Sequence, residues 1–354
     1  MGANDTMRIA AVATEFPAHY YTQGELLLAL KRHWGDRLPN ADVLERLHRR
    51  LRVDGRHLAL PIEAYDELRA WGQANDAWIR VATELGACAV RRALERASVP
   101  PAEVGTLIFT SVTGVASPSI DARIVNRLGL PTSVRRLPLF GLGCVGGAAA
   151  IARASDIVRA YPDEVAVVVA VELCSLTWQR DDLTVANLIS VGLFGDGAAA
   201  VVVAGERRST GPRIVATRSI FYPATEDVMG WRISERGFRI LLSLDVPAVV
   251  RTHLGGDVDR FLAAHGLERG DIHTWILHPG GPKVLLASEA ALGLPAGSLA
   301  PSWECLRRAG NLSSASVLMV LEEIAHRRPP PAGAWSVLAA MGPGFCAELL
   351  LLRW

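Results

Sequence analysis

An internal repeat is the feature of this sequence that most restricts its fold. Residues 97–111 (ASVPPAEVGTLIFTS) align without a gap with residues 265–279 (HGLERGDIHTWILHP), at an offset of 168 positions. The alignment pairs Thr106 with Thr274 and also matches an acidic residue ahead of each apolar run. Runs of this kind are typical of buried strands. A gapless match that keeps both the threonine and the acidic position favours a duplicated unit over chance similarity between strands.

The repeat continues downstream, because each half goes on to a helix rich in small residues and then to two further apolar strands. The predicted elements are a helix after Cys144 and strands at 164–175 and 197–205, then a helix within 310–326 and strands at 334–344 and 345–354. A strand at 7–17, helices at 41–53 and 75–97, and a segment at 212–225 that opens the second half complete the prediction. Strands this apolar need helices on both faces. We therefore predict an α/β protein made of two pseudo-symmetric halves, 1–206 and 207–354.

Composition excludes several classes of function. The 354 residues carry a net charge of only +1, which gives no indication of a nucleic-acid partner. The 5 cysteines are scattered without a CxxC pair, which argues against a disulfide framework or a metal site and favours a reducing compartment. The sequence shows no signal peptide, and charged residues interrupt every long apolar run. These features predict a cytoplasmic protein.

Cys144 is the first candidate for chemistry. It lies between glycines at the start of a predicted helix, in FGLGCVGGAAAIARASD. The unpaired amides and the dipole of a helix N-terminus favour a thiolate at such a position. The alternative is a small, buried, structural cysteine in a tight contact between a helix and a strand.

His278 and Asn311 are the candidate partners of this thiol. His278 ends the apolar strand 274–278 and precedes a Pro-Gly-Gly turn, a place suited to acid–base work. Asn311 begins the second-half helix, 167 positions after Cys144. The alternatives are a hydrogen-bonded core histidine and an ordinary helix N-cap. In a two-fold pair of α/β halves, however, both helix starts and the strand end meet at the centre, and the three groups suit acyl transfer through a thioester.

Four motifs, in order, resemble the type III polyketide synthases, the chalcone-synthase-like members of the thiolase superfamily. They are FGLGCVGGAAAIARASD, LFGDGAAAVVV (193–203), ILHPGGPKVL and GNLSSASVL, and the resemblance covers roughly residues 5–354. The resemblance implies a homodimer with the thiolase fold, in αβαβα layers, that works without a bound cofactor or carrier protein. It implies that an acyl-CoA starter loads onto Cys144. His278 and Asn311 would then assist the decarboxylation of malonyl-CoA, and His278 would keep Cys144 as a thiolate.

The same resemblance implies residues that shape the substrate cavity. Phe194 matches the gatekeeping phenylalanine, and Ile240 stands where the family has a second one. The remaining implied positions are Cys174 and Thr177 in the cavity wall, Ser117 reaching across the dimer, and Met341 in the glycine-rich loop 340–344. Cysteine at the position of Cys174 also occurs in several bacterial members. The alternatives are a plain buried thiol for Cys174 and a core aromatic for Phe194.

CoA needs cations for its phosphates. The basic segment that contains Arg46, Arg49, Arg50, Arg52 and Arg56 lies where the family keeps its CoA-binding residues, and Lys283 is a further candidate. The alternative for each of these residues is a solvated position on a helix face.

The small and aliphatic residues at Ile240, Cys174 and Ser117 favour a fatty acyl starter and an alkylresorcinol or alkylpyrone product. Three alternatives remain open at this point. The first is a 1,3,6,8-tetrahydroxynaphthalene synthase that uses malonyl-CoA only. The second is a condensing enzyme like ketoacyl synthase III, which needs acyl carrier protein, and the third is a catalytically silent thiolase-fold partner. The sequence leaves open the starter, the number of extensions and the mode of cyclisation.

Overall fold

The computed structural model describes residues 7–38, 41–205 and 211–354. Its strands are β1 Arg8–Glu15, β2 His19–Thr22, β3 Gly55–Leu58, β4 Val104–Thr110, β5 Arg135–Leu139, β6 Val165–Leu173, β7 Asp196–Ala204, β8 Arg213–Phe221, β9 Met229–Ser234, β10 Gly237–Leu242, β11 Ile272–Leu277, β12 Trp335–Gly342 and β13 Cys346–Arg353. Its helices are α1 Gln23–Trp34, α2 Ala41–Arg50, α3 Trp71–Arg96, α4 Ile120–Leu128, α5 Gly146–Ala160, α6 Val185–Leu193, α7 Val246–Ala263, α8 Pro282–Leu292, α9 Ala300–Ala309 and α10 Ser316–Arg327.

The main sheet shows the duplication directly. Its strand order is β11-β12-β13-β8-β1-β7-β6-β4-β5, and the halves join where Arg8 of β1 pairs with Arg213 of β8. In the first half, β4 and β6 are parallel, whereas β6–β7 and β7–β1 are antiparallel. The second half repeats this pattern with β11, β12, β13 and β8. The predicted two-fold α/β architecture is confirmed, while the predicted boundary at 206/207 lies outside the described residues.

Side chains on alternate faces of the central strands build five layers. In β6, Val167 and Val169 pack with the core around α3, whereas Ala166 and Val168 pack against the central helices α5 and α10. In the second half, alternate leucines of β13 pack in the same way against the central helices on one face and against the core formed by α7, α8 and α9 on the other. Helices therefore cover both faces of these strands, which explains their continuous apolar runs. The order of layers is the αβαβα arrangement that the resemblance implied.

Strand β5 and the hairpins β2–β3 and β9–β10 were not predicted. Strand β5, RRLPL, lies at the edge of the sheet, and proline is tolerated at an edge. The two hairpins form small separate sheets. Because short strands with polar residues lack a long apolar run, periodicity did not reveal them.

Candidate active site

Cys144 lies in a 3-10 turn, Gly143–Val145, that directly precedes α5. Close approach explains the glycines around it. A Cβ atom on Gly143, which has a φ of +51°, would lie 2.6 Å from Cδ of Pro343 in the glycine-rich loop. A Cβ atom on Gly147 would lie 2.2 Å from the carbonyl oxygen of Ser314, ahead of α10. The glycines thus let the loop and the two central helices close around the thiol, which is only 5% exposed.

His278 follows the last residue of β11. Its backbone N–H donates to the Ala339 carbonyl at 3.0 Å, which holds it beside β12. Both ring nitrogens are buried and have no hydrogen-bond partner among the described residues. A histidine with a purely structural role in a core would have such a partner. The imidazole is therefore available to a substrate or to a proton.

Asn311 was predicted at the start of a helix, but it lies five residues before the first residue of α10. The counterpart of the Cys144 turn is instead the 3-10 turn Ser313–Ala315, so the structural offset is 170 rather than 167. Oδ1 of Asn311 accepts from Ser313 N at 2.7 Å and from Ser316 Oγ at 3.3 Å, and Nδ2 donates to Gly280 O at 3.2 Å. These contacts fix the orientation of the amide. The interaction of the amide with the Cys144 thiol acts to lower the pKa of Cys144.

Cys144, His278 and Asn311 line one cavity of about 380 Å³. The structure thus brings together the three side chains that the repeat was expected to bring together. Phe194 and Met341 also line this cavity, and Lys283 and Arg50 supply its cationic side chains. Arg50 belongs to the basic segment that the sequence analysis placed at the CoA-binding position.

A second cavity of about 510 Å³ lies on the other side of Phe194, which lines both cavities. Cys174, Thr177 and Ile240 line the second cavity, as the resemblance implied. Polar and aromatic side chains make up much of the remaining wall: Arg56, Tyr65, Ser175, Trp178, Asn187 and Trp231. Ser117 is exposed and lines neither cavity of its own chain.

The predicted CoA-binding arginines occupy three different environments. Arg49 is exposed and pairs with Glu45 at 2.9 Å, and the guanidinium of Arg52 lies over the Trp303 ring, 5.0 Å from its centre. Arg56 is buried and donates from Nη1 to the Phe194 carbonyl at 2.6 Å. The prediction that Arg56 binds CoA phosphates is therefore wrong, because the chain turns inward at β3 and carries this guanidinium to the second cavity.

Burial controls the charges of the thiol and the imidazole. It raises the pKa of Cys144 to about 12, although the interactions of the thiol with Ser313 and Asn311 partly oppose the rise. It also lowers the pKa of His278 to about 3. Both pKa shifts favour the uncharged form of the group, the thiol of Cys144 and the neutral imidazole of His278. The effect of burial on the pKa of Cys144 therefore exceeds the opposite effect of the helix start, and the predicted thiolate does not form by this effect alone. Formation of the thiolate needs a proton acceptor in the same cavity.

Replacement of His278 by glutamine is expected to slow alkylation of Cys144 by iodoacetamide at neutral pH, by roughly tenfold or more. Glutamine occupies a similar volume but cannot accept the thiol proton. The deficit should shrink as the pH rises toward the raised pKa of Cys144, because the thiolate then forms by direct titration. Mass spectrometry of the alkylated peptides measures both rates, and the exposed Cys88 serves as an internal reference. Equal Cys144 rates at neutral pH would show that His278 is not the acceptor.

Glu172 is a site residue that the sequence analysis missed. It is buried on β6 and accepts hydrogen bonds from Ser314 Oγ at 2.5 Å, Thr113 Oγ1 at 3.0 Å and Val112 N at 3.1 Å. Burial raises the pKa of this carboxyl, and its charge in turn raises the pKa of Cys144. A glutamate inside the apolar run VAVVVAVEL was the available signal, because a buried carboxyl needs several donors.

Two family models together match nearly the whole chain. The model described as chalcone and stilbene synthases, N-terminal domain, matches residues 9–207, and the corresponding C-terminal domain matches residues 213–354. The chain belongs to the chalcone and stilbene synthase family. The resemblance seen in the sequence is confirmed: this is a type III polyketide synthase of the bacterial type, a CoA-dependent acyltransferase with the thiolase fold. Membership of this family excludes the two alternatives of a ketoacyl synthase and of a catalytically silent partner.

Individual relatives support the same family. The chain is 53% identical to a 1,3,6,8-tetrahydroxynaphthalene synthase of Streptomyces peucetius subsp. caesius, over 98% of this chain and 93% of the relative. It is 32% identical to a phloroglucinol synthase of Pseudomonas fluorescens, over 96% of this chain and 97% of the relative. A solved tetrahydroxynaphthalene synthase of Streptomyces coelicolor A3(2) superimposes with a TM-score of 0.93 at 33% identity, covering 98% of this chain and 99% of that one. Across the described residues, no helix is both long enough and apolar enough to cross a membrane.

Proposed function

We propose that this polyketide synthase makes 1,3,6,8-tetrahydroxynaphthalene and uses malonyl-CoA as both starter and extender. The observation that carries the proposal is the 53% identity, over 98% of the chain, to a synthase of that name. Two further relatives of the same name, from Streptomyces coelicolor and Streptomyces griseus, are 35% and 34% identical. The proposal adopts the malonyl-only alternative in place of the alkylresorcinol or alkylpyrone product favoured by the sequence analysis.

The second cavity supports a polyketone rather than a fatty acyl chain. Its wall contains the hydroxyl groups of Tyr65, Ser175 and Thr177, the amide of Asn187 and the guanidinium of Arg56. A chain of condensed malonyl units carries an oxygen on every second carbon and can hydrogen-bond to such groups. Against a fatty acyl tail, Nε of Arg56, which has no hydrogen-bond partner among the described residues, would stay unpaired, which is costly.

The proposed reaction begins with starter transfer. Cys144 attacks the thioester carbonyl of malonyl-CoA, its proton passes to His278, and CoA leaves as the thiol. A second malonyl-CoA then loses CO₂, and the N–H groups of Asn311 and His278 stabilise the enolate oxygen. The enolate carbon attacks the Cys144 thioester and releases the thiol. The lengthened chain, which is then a CoA thioester, returns to Cys144 for each further round and releases CoA. Cyclisation with loss of the starter's carboxyl group as CO₂ then gives the product.

The surroundings of the reaction are part of the same proposal. Arg49, Arg52 and Lys283 bind the CoA phosphates, and neither a bound cofactor nor a carrier protein takes part. Phe194 separates the cavity that admits CoA from the cavity that holds the growing chain. The protein acts as a homodimer in which Ser117 reaches into the partner's cavity.

Incubation of the purified protein with labelled malonyl-CoA alone tests the proposal. We expect mass spectrometry to find tetrahydroxynaphthalene and its oxidation product, with no added starter. Parallel reactions contain acyl-CoA starters from acetyl to long-chain. Resorcinols or pyrones that appear only with an added starter, and no product from malonyl-CoA alone, would contradict it.

A further inference from the structure

Arg56 places a buried cation in the wall of the second cavity. The residue is 3% exposed and shares this wall with Cys174 and Thr177. Its Nη1 donates to the Phe194 carbonyl at 2.6 Å, while its Nε is buried and has no hydrogen-bond partner within residues 7–38, 41–205 and 211–354. The described residues of the protein therefore accept hydrogen bonds from only part of the guanidinium.

Arg56 also lacks a contact ion pair among the described residues. Asp196 attracts the guanidinium without forming a contact ion pair with it. The oxygens of Asp196 are already engaged, because they accept from Ala59 N at 2.6 Å, from Ser175 N at 2.8 Å and from the Ser175 hydroxyl. Burial lowers the pKa of Arg56 to about 10, so the group still carries its charge at neutral pH.

A buried cation without a contact anion favours binding of an anionic ligand, because ion pairing offsets the loss of hydration. A guanidinium matches a carboxylate best, since its parallel N–H groups can donate to both oxygens. In the proposed function the starter is itself a carboxylate. New units enter at the thioester on Cys144, so the starter end of the chain moves past Phe194 into the second cavity, where Arg56 lies.

We propose that Arg56 determines starter specificity by binding the free carboxylate of the malonyl starter in the second cavity. The proposal rests on the proposed function, since it needs malonyl as the starter. A neutral starter of the same length would leave the guanidinium unpaired and the carboxylate site empty. The cavity therefore selects malonyl over a neutral acyl group by charge rather than by size.

Competition between malonyl-CoA and propionyl-CoA tests this assignment, because the two starters differ mainly by a carboxylate in place of a methyl group. The masses of the products identify the starter. In Arg56→Gln the ratio of propionyl-primed to malonyl-primed product should rise roughly tenfold or more over the wild type. Arg56→Lys keeps the charge and should stay within about threefold of the wild type. Glutamine keeps an N–H donor for the Phe194 carbonyl. Arg159→Gln, at the exposed end of α5, is the matched control.

A purely structural role for Arg56 would lower both products alike and leave their ratio unchanged, which would overturn the assignment. If Arg56→Gln does not fold, the wild type still gives a test with succinyl-CoA and butyryl-CoA as added starters. Succinyl priming should exceed butyryl priming, and the reverse order would overturn the assignment. Failure of the wild type to condense malonyl-CoA alone would instead contradict the proposed function, so the two failures are distinguishable.

Discussion

Replacement of Cys144 by alanine is expected to abolish polyketide formation, with a loss of roughly four orders of magnitude or more. In the proposed reaction the thiol is the nucleophile, and it lines the first cavity together with His278 and Asn311. Ser313, whose hydroxyl accepts from Sγ at 3.8 Å, is too weak a nucleophile to replace it without a base of its own. Decarboxylation of malonyl-CoA should stay within about tenfold of the wild-type rate, because it needs only enolate stabilisation.

Cys305→Ala is the matched control for this variant. Cys305 is equally buried, but it packs in the central core away from both cavities. Its replacement should leave product formation near the wild-type rate. Release of labelled CO₂ and product mass, measured in the same reaction, separate decarboxylation from condensation. Polyketide formation by Cys144→Ala, or an equal loss of both reactions, would show that the thiol does not carry the chain.

The repeat predicted the fold because the two halves kept the same strand order and the same burial. Strands β4 and β11 begin 168 positions apart, at Val104 and Ile272, as the sequence alignment requires. Burial on both faces leaves a continuous apolar run that a sequence shows clearly. Edge strand β5 and the hairpin β9–β10 lack such runs, and the hairpin carries Ile240 to the second cavity.

The site was predictable where it depended on the repeat and not where it depended on tertiary packing. Cys144 and His278 sit at element ends that the repeat itself defines. Asn311 lies two residues before the counterpart of the cysteine turn, because it pairs through its backbone with the segment around Phe194. Arg56 follows a run of exposed arginines, and nothing local marks it as buried. Only the packing of β3 against the rest of the protein turns that guanidinium inward.

Replacement of Asn311 by aspartate is expected to lower both malonyl-CoA decarboxylation and product formation by roughly 100- to 1000-fold. Aspartate has nearly the same shape, so its carboxylate oxygen can still accept from Ser313 N and Ser316 Oγ. The substitution removes only the N–H groups, which donate to the Gly280 carbonyl and, in the proposed reaction, to the enolate oxygen. The new carboxylate would also place negative charge beside an enolate that must itself become negative.

Asn126→Asp makes the same change at an exposed position of α4 and should leave both rates unaltered. The comparison with Cys144→Ala assigns the two roles. Loss of decarboxylation in Asn311→Asp but not in Cys144→Ala means that the amide acts on the extender, whereas the thiol carries the starter. If Asn311→Asp decarboxylates malonyl-CoA at the wild-type rate, the enolate is stabilised elsewhere. His278, whose ring nitrogens both lack a hydrogen-bond partner in the part of the chain that the structure describes, would then be the group responsible.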